Sequence, residues 1–306
     1  NPSGGGLPRL WLGCCGVYFQ PSEPLKLLLV VYLAAYLASK PNPGVGNAPL
    51  LPLLAPTLIM ACLALLLLVV QRDLGTASIF LFLYALVVYI ASGRKRILLA
   101  AVSGLVIAGV AGYGLFDVVR LRMEAWLNPW LDASGRSYQI VQSLLAVANG
   151  ALFGRGPGLG SPTLVPIPHS DFIFVAIAEE FGLFGVVGLI LLLALLVSRG
   201  LRAAFASPDP YRRYLAAGLT VYLVAQSIFI IGGNLRLLPL TGVTLPFVSY
   251  GGSSLLTSFL SLIFLLHISV SSQAHAISSQ SALLEPAQHS RPVYHVAALL
   301  WAGLAA

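Results

Sequence analysis

Long apolar stretches recur along the whole chain. Seven of them cover residues 22–39, 48–70, 74–91, 97–117, 172–197, 214–233 and 252–271. The hydrocarbon core of a bilayer is about 30 Å thick and needs about 20 apolar residues per helix. Backbone polar groups in lipid must be bonded within the segment, which favours helices, and the short alternating segments of a barrel are absent. The pattern predicts an all-α, multi-pass membrane protein with seven transmembrane helices.

One connection is much longer than the others. Residues 118–171 separate the fourth and fifth stretches, whereas ordinary connections have about four to six residues and long ordered ones are usually functional. Within this loop the segment 138–154 carries Ile140, Val141, Leu144, Leu145 and Val147 at the spacing of one helix face. The segment is too short to span, so we predict a helix on the membrane surface or a re-entrant helix.

Composition and charge agree with a membrane protein. The chain is 58% hydrophobic and 9% charged, whereas soluble domains have about a quarter charged residues. Positive residues cluster in two short connections, 94–96 and 199–213, which marks these as cytoplasmic and places the loop 118–171 on the outer side. The net charge of +7 is scattered and gives no support for binding nucleic acid, and the three cysteines lack the spacing of a metal site.

Three acidic residues stand at or inside the fifth apolar stretch, in PHSDFIFVAIAEEFG. Asp171 precedes the helix, where the helix dipole favours its ionised form, and its position fits a helix cap as well as a catalytic carboxylate. Glu179 and Glu180 lie within the stretch, where charge is costly. At least one of the two should line a polar cavity or pair with a cation, and a structural pairing is the preferred interpretation.

Other polar residues stand at the starts of predicted helices. Glu23 and Lys26 are three residues apart and can pair on one helix face. Asp73 begins the third stretch, where a helix cap is the simpler interpretation. The glycine-rich segment FGRGPGLG, residues 153–160, does not match a phosphate-binding signature and is predicted to form a flexible turn.

Several segments resemble motifs of the SEDS family (shape, elongation, division and sporulation), the RodA-, FtsW- and SpoVE-type peptidoglycan glycosyltransferases. They occur in the family order: QPSEPLK, QRDLGTA, LNPW, YQIVQSLLAV, LFGRGPG, HSDFIFVAIAEEFG and PLTGVTLPFVSYGGSS. The last is highly specific, and the resemblance covers residues 7 to about 272. Because family members have ten spans, the chain is expected to be a fragment that lacks about three N-terminal spans.

The resemblance implies a hexosyltransferase that polymerises lipid II on the outer face of the bacterial cytoplasmic membrane. The essential aspartate of the family motif HTDFIF corresponds to Asp171, with Ser170 in place of threonine, and the implied role is that of general base. Arginine, lysine or a divalent cation, Mg²⁺ or Mn²⁺, would neutralise the leaving diphosphate. The positions implied to bind substrate are Glu23, Lys26, Asp73, Arg122, Tyr138, Gln142, Arg155, Ser249 and Tyr250.

Two other functions suit the same features. A polar cavity also fits a lipid II flippase, and the chain could be a scaffold for a class B penicillin-binding protein, a transpeptidase. The long outer loop favours catalysis, because a pure translocator needs no outer reaction site. The expected partners are lipid II, such a transpeptidase and membrane lipids.

The C-terminal part differs in composition from the rest. We expect a membrane domain over 1–272, a flexible polar linker over 273–292 and an apolar segment, VYHVAALLWAGLAA, over 293–306. Fourteen apolar residues are too few for a span. One hypothesis is that this segment begins the membrane anchor of a fused transpeptidase, which would raise the effective concentration of the two activities. The alternative is an amphipathic tail on the inner surface.

Overall fold

The protein is a bundle of helices with one small hairpin. A computed structural model describes residues 12–14, 17–40, 50–70, 73–160 and 169–284. In chain order the elements are β1 (Leu12–Cys14), β2 (Val17–Phe19), α1 (Ser22–Ala38), α2 (Leu50–Val70), α3 (Leu74–Ser92), α4 (Arg96–Leu115), α5 (Asp117–Leu127), a 3-10 helix (Pro129–Asp132), α6 (Tyr138–Gly150), α7 (Ile173–Ala206), α8 (Pro210–Asn234) and α9 (Gly252–Leu284).

A helix occupies each of the seven predicted stretches, which confirms the helical membrane fold. By length and composition, five helices within the described part of the chain can cross a membrane, and they are Gly75–Ser92, Arg96–Leu115, Ile173–Ala206, Pro210–Asn234 and Gly252–Ser272. α1 has 17 residues, and the described apolar part of α2 is the shorter Leu54–Leu66. The count of seven spans therefore stays a prediction. The hairpin pairs Leu12 with Phe19 and Cys14 with Val17, an addition to the all-α prediction.

α8 lies at the centre of the bundle. About 78% of its membrane-length window is buried, against 6% for α4. It packs against α1, α3, α7 and α9, and its Leu219 and Tyr222 join Val30 and Leu33 of α1 and Phe80 of α3 in the main apolar core. The apolar surface of α4 faces outward, as lipid contact requires.

The long loop contains regular structure. α5 follows α4 after a single residue, and α6 confirms the helix predicted from the apolar spacing in 138–154. Ile140 and Val141 are buried, and α6 packs against α7. The apolar face of α6 is therefore used largely for packing within the protein, and its position relative to the membrane stays a prediction.

α7 is broken near its start. Gly182 has φ +63° and ψ −158°, outside the helical region. The break separates a short helix, residues 173–181, from a long one, residues 183–206, which corrects the prediction of one continuous helix over 172–197. Four amide-to-carbonyl bonds join the break to the turn after α6: Leu183 to Ala151, Phe184 to Leu152, Arg155 to Glu179 and Gly156 to Glu180.

The glycine-rich segment 153–160 is a turn packed against this break. Gly154 has φ +77°, and a Cβ there would lie 2.2 Å from the carbonyl oxygen of Glu180. A Cβ at Gly182 would lie 2.3 Å from the amide nitrogen of Gly154. Glycine is needed at these positions because two backbone segments approach each other closely. The predicted turn is confirmed, but the reason for its glycines is this close approach and not flexibility.

α9 is longer than the predicted span. It continues through residues 273–284, where a flexible linker was expected. The sequence QAHAISSQSALL contains no glycine or proline, and its alanine, leucine and glutamine residues favour a helix. The domain boundary at 272 stays a prediction, and the apolar segment 293–306 lies outside the described residues.

Candidate active site

Asp171 lies in the turn that precedes α7 and is partly buried. Its Oδ1 accepts a hydrogen bond of 2.5 Å from Ser170 Oγ, and its carbonyl oxygen accepts one of 3.1 Å from Asn234 Nδ2 at the end of α8. The first turn of α7 has no side-chain cap; its N-cap residue is Phe172. The helix-cap interpretation of Asp171 is therefore wrong. Its Oδ2 receives no hydrogen bond from the described residues.

Arg122 of α5 and Asp171 border the same small space above Gly242. A Cβ placed on Gly242 would lie 3.8 Å from Asp171 Oδ2 and 3.9 Å from Arg122 Nη2, with no other described atom within 4 Å apart from its chain neighbours. Gly242 has φ +69°, a conformation that favours glycine. Arg122 Nη1 donates to the carbonyl oxygen of Thr241, 3.4 Å away. A carboxylate and a guanidinium thus border the same gap beside Gly242.

Burial shifts the pKa values of Asp171 and Arg122 in opposite directions. Burial raises the pKa of Asp171, and the hydrogen bond from Ser170 and the charges of Arg122 and His169 offset this only in part. Burial likewise lowers the pKa of Arg122, while Asp73 and Asp171 act in the opposite direction; a guanidinium stays charged all the same. Asp171 is therefore a stronger base than an exposed aspartate.

The segment 241–250 forms one wall of the site. Ser249 is buried, donates 2.6 Å to the carbonyl oxygen of Ser170 and accepts 2.7 Å from the amide of Leu245. The amide of Tyr250 donates 2.8 Å to the carbonyl oxygen of His169, and their rings meet edge to face at 5.7 Å. Tyr250 is 75% exposed. The structure therefore brings both predicted residues beside Asp171, Ser249 as part of the framework and Tyr250 as an exposed ring.

Asp73 caps α3, as the simpler interpretation predicted. Its Oδ1 accepts a hydrogen bond of 3.2 Å from the amide of Thr76. Its charge also acts on Arg122, so it belongs to the surroundings of the site. A Cβ at Gly75 would lie 2.1 Å from the carbonyl oxygen of Thr241, so the first turn of α3 touches the wall segment directly.

The predicted pair of Glu23 and Lys26 is confirmed as an ion pair inside the bundle. Lys26 Nζ lies 2.7 Å from Glu23 Oε1, with both side chains almost fully buried. Tyr222 donates 3.4 Å to Glu23 Oε2, and its ring lies 5.5 Å from Lys26 Nζ. The pair is enclosed by packed helices rather than lining an open cavity. Its contact with substrate stays a prediction.

Glu179 and Glu180 lie at the break in α7. Glu179 is 1% exposed, and its Oε2 has no hydrogen-bond partner among the described residues. No ion pair in the described part of the chain includes either glutamate, so the expected structural pairing is not found there. The backbone explains their place: the carbonyl groups of both residues accept the bonds that hold the broken helix to the turn.

The remaining predicted residues lie farther away. Arg155 is exposed, and its amide is bonded to Glu179, eight residues past Asp171 and therefore about 12 Å along the helix. Tyr138 and Gln142 are partly buried on α6 and share one face because they are four apart. A role in substrate binding stays a prediction for all three.

Two polar residues of α8 escaped the sequence analysis. Asn234 holds the backbone of Asp171, and Gln226 donates 3.0 Å to the carbonyl oxygen of Thr244. A third missed feature is a brace between α5 and the segment after α8. Trp126 Nε1 donates 3.1 Å to the carbonyl oxygen of Arg236, whose Nε returns a bond of 2.7 Å to the carbonyl oxygen of Trp126. For Gln226 and Asn234 the available signal was a polar side chain within a largely apolar helix.

The residues at the site do not form a ready-made cage for a divalent cation. The described part of the chain contains no group of three or more histidine, cysteine, aspartate or glutamate side chains that could hold a metal. Asp73 and Asp171 are the nearest acids to the gap, and Arg122 supplies its positive charge. The predicted Mg²⁺ or Mn²⁺ stays a prediction, and no step below depends on it.

The fold and site define a multi-pass membrane protein with a partly buried acid beside a fixed arginine. The family model described as the cell cycle protein family FtsW/RodA/SpoVE matches residues 5–274. The chain therefore belongs to the FtsW/RodA/SpoVE family, which confirms the SEDS resemblance, and its relatives are bacterial.

Individual relatives agree. The chain is 38% identical over 269 residues to peptidoglycan glycosyltransferase RodA of Mycobacterium tuberculosis, covering 85% of this chain and 57% of that protein. It is 36% identical over 265 residues to stage V sporulation protein E of Bacillus subtilis, covering 85% and 71%. The chain thus spans little more than half the length of the mycobacterial relative.

Solved structures share the fold. One, described as showing structural coordination of polymerization and crosslinking by a peptidoglycan synthase complex, has a TM-score of 0.67 and 31% identity over 85% of this chain and 73% of that one. The crystal structure of the rod shape determining protein RodA of Thermus thermophilus has a TM-score of 0.58 and 30% identity over 86% and 70%.

Proposed function

We propose that this protein is a peptidoglycan glycosyltransferase that polymerises lipid II into glycan strands. The observation that carries the proposal is the gap beside Gly242, which Asp171 Oδ2 and Arg122 Nη2 both border. The mycobacterial relative is a peptidoglycan glycosyltransferase by name, which supports the same activity here.

The chemistry needs one base and one cation. The 4-hydroxyl of the acceptor sugar attacks the anomeric carbon of the donor; the new carbon–oxygen bond forms as the bond from that carbon to the diphosphate breaks. Asp171 Oδ2 takes the hydroxyl proton, for which a raised pKa is an advantage. Arg122 neutralises the leaving diphosphate through its guanidinium, which needs no proton transfer.

We place the reaction on the outer face of the cytoplasmic membrane. The positive clusters at 94–96 and 199–213 support this orientation, since Asp171 and Arg122 lie at the opposite ends of the helices next to those clusters. The membrane lipids then surround the exposed face of α4, and the sugar end of lipid II reaches Asp171 from the outer leaflet.

The proposed partner is a class B penicillin-binding protein, which would cross-link the strands as they form. A structurally similar chain comes from a peptidoglycan synthase complex that combines polymerization and crosslinking, and this supports the proposal. Fusion to such a partner through residues 293–306 stays a hypothesis about residues that the structure does not describe.

The test is polymerisation of purified lipid II by the full-length protein without a partner. Asp171→Asn should lower the rate about 10²- to 10⁴-fold, the range of general base catalysis. Asp117→Asn is the matched control, because Asp117 is an exposed acid in the first turn of α5 and should leave the rate unchanged.

Other outcomes separate the alternatives. A wild-type protein that moves lipid II across vesicles but makes no polymer would be a flippase. Normal growth of cells carrying Asp171→Asn would favour a scaffold. Near-normal polymer yield from the purified Asp171→Asn protein would remove the general-base role from this residue.

A further inference from the structure

We propose that Gln226 of α8 is a positioning residue for the candidate active site. It holds the segment 241–249, in which Gly242 lies beside both Asp171 and Arg122. This inference rests on the proposed function and extends it to a residue that lies outside the reacting groups.

The segment 241–249 touches the site at three points. The carbonyl oxygen of Thr241 accepts from Arg122 Nη1 at 3.4 Å. Gly242 lies beside both Asp171 Oδ2 and Arg122 Nη2. Ser249 Oγ donates 2.6 Å to the carbonyl oxygen of Ser170, next to Asp171. A shift of this segment therefore changes the distance between base and cation.

Thr244 anchors the middle of the segment in the bundle. Gln226 Nε2 donates to its carbonyl oxygen at 3.0 Å and to its Oγ1 at 3.1 Å. Thr244 Oγ1 is also bonded, at 2.5 Å, to Ser254 Oγ of α9. The flanking Val243 and Leu245 are buried in an apolar cluster with residues of α3 and α8.

The apolar contacts of Val243 and Leu245 and the hydrogen bonds from Gln226 constrain the segment 241–249 in different ways. Burial of Val243 and Leu245 holds the segment against the bundle but is non-directional. The two bonds from one amide group of Gln226 fix where Thr244 stops along the helices, because hydrogen bonds are limited in distance and angle. Gln226 thus supplies the directional contacts from α8 that fix the position of Thr244.

A buried glutamine at position 226 stabilises the fold less than an apolar side chain of the same size would. Its side chain is fully buried, and its Oε1 has no hydrogen-bond partner among the described residues. An unbonded buried amide oxygen is destabilising, whereas an apolar side chain of the same shape avoids that penalty. A leucine would fill this place in α8 at lower cost but could not hold Thr244.

Displacement of the segment should change the acidity of Asp171 as well as its position. The charged or titratable groups that face Asp171 are Arg122 from α5 and His169 from its own turn, while Asp73 of α3 acts through Arg122. Burial is the largest influence on the pKa of Asp171. Water admitted by a loosened segment therefore lowers this pKa.

Gln226→Leu tests the inference in the full-length protein. We expect kcat to fall about 10- to 100-fold, since a displacement near 1 Å can cost about 100-fold, with a smaller change in KM and an acid limb of the pH profile shifted to lower pH. The matched control is Ser227→Ala, which removes a buried hydroxyl whose bond among the described residues is to the carbonyl oxygen of Leu223 in its own helix.

A second pair of variants isolates the anchor itself. Thr244→Val removes the hydroxyl that Gln226 and Ser254 share but keeps the carbonyl oxygen that Gln226 also bonds, so it should reproduce the effects of Gln226→Leu in the same direction and to a smaller extent. Thr244→Ser keeps the hydroxyl and should retain most activity. If Gln226→Leu does not fold, this pair decides the question.

Hydrogen exchange supplies a readout that needs no activity. Without substrate, the amides of 241–249 and of 169–171 should exchange faster in Gln226→Leu than in the wild type or Ser227→Ala. The positioning role would be overturned if Gln226→Leu matched Ser227→Ala in hydrogen exchange, in kcat and in the acid limb of the pH–rate profile. A wild type without polymerase activity would refute the proposed function, and exchange would still decide the role of Gln226.

Discussion

The carboxylates of Glu23 and Asp171 lie in different electrostatic surroundings. Glu23 has both oxygens bonded, one to Lys26 at 2.7 Å and one to Tyr222 at 3.4 Å. Asp171 has one oxygen bonded to Ser170, while the other faces the gap shared with Arg122. A fully paired acid stabilises a particular packing of helices, whereas an acid left partly unpaired keeps its capacity to take a proton. The reactivity proposed for Asp171 needs both its burial, which raises its pKa, and an oxygen that no described side chain bonds.

The largest expected effect concerns the stability of the paired acid. Glu23→Gln leaves Lys26 buried without its counter-charge, so we expect a loss of about 3–5 kcal/mol in the free energy of unfolding. Asp171→Asn should leave this free energy unchanged or raise it, because it removes a charge that burial disfavours. Denaturant titration of both variants checks the contrast.

The double variant Glu23→Gln with Lys26→Met sharpens the same comparison. With both charges removed, most of the lost stability should return, since no uncompensated ion remains. Equal free energies of unfolding for the single and the double variant would show that the packing of these two side chains, and not their charge pairing, stabilises the protein.

Arg122 should matter for rate and little for stability. Arg122→Ala removes the cation beside Asp171 and with it part of the charge stabilisation of the leaving diphosphate, and we expect polymerisation to slow about 10- to 100-fold, less than for loss of the base. Rates on purified lipid II test this. Arg120→Ala, an exposed neighbour on α5, is the control, and equal rates in both variants would take Arg122 out of the site.

The pH dependence of Asp171 should act in opposite directions on rate and stability. Its folded pKa is raised by burial, so the rate should rise as pH rises through that value and the base loses its proton. Stability from this group is fully present below its unfolded pKa, about 3.9, and is lost as pH rises through the folded pKa. Asp171→Asn should show neither change, measured by pH–rate profiles and by unfolding at several pH values.

The smallest effect is expected at Arg155. Its side chain is exposed, about 12 Å along the helix from Asp171, so Arg155→Ala should change the rate about two- to threefold or less. Gly154→Ala in the same turn is the informative comparison, because a Cβ there meets the backbone of Glu180. A larger loss of rate for Arg155→Ala than for Arg122→Ala would contradict the arrangement proposed here.

Apolar periodicity was enough to predict most of the fold. Each long apolar run became a helix because no other backbone arrangement suits lipid, and even α6 was visible in the spacing of Ile140, Val141 and Leu144. The break at Gly182 was not visible, because a single glycine inside an apolar run carries no period. It depends on a partner segment, 151–156, about thirty residues earlier in the chain.

Only the charged residues of the site could be predicted from the sequence. Asp171 and Arg122 could be named because of their resemblance to family motifs, and the pair of Glu23 and Lys26 because helical spacing puts them on one face. Gln226 and Asn234 could not, because their roles are hydrogen bonds to backbone atoms of distant segments. Backbone acceptors are the same for every residue type and leave no trace in the sequence.

The break at Gly182 also bears on how the protein meets bilayers of different thickness. A continuous helix of 34 residues would be a rigid lever about 51 Å long, and any tilt imposed on it by hydrophobic mismatch would move its tip, where Asp171 lies. With the helix divided at Gly182, the short piece 173–181 is held to the turn after α6, so a tilt of the long piece 183–206 need not pass to it in full. We therefore expect the geometry around Asp171 to depend less on bilayer thickness than it would at the end of a continuous helix.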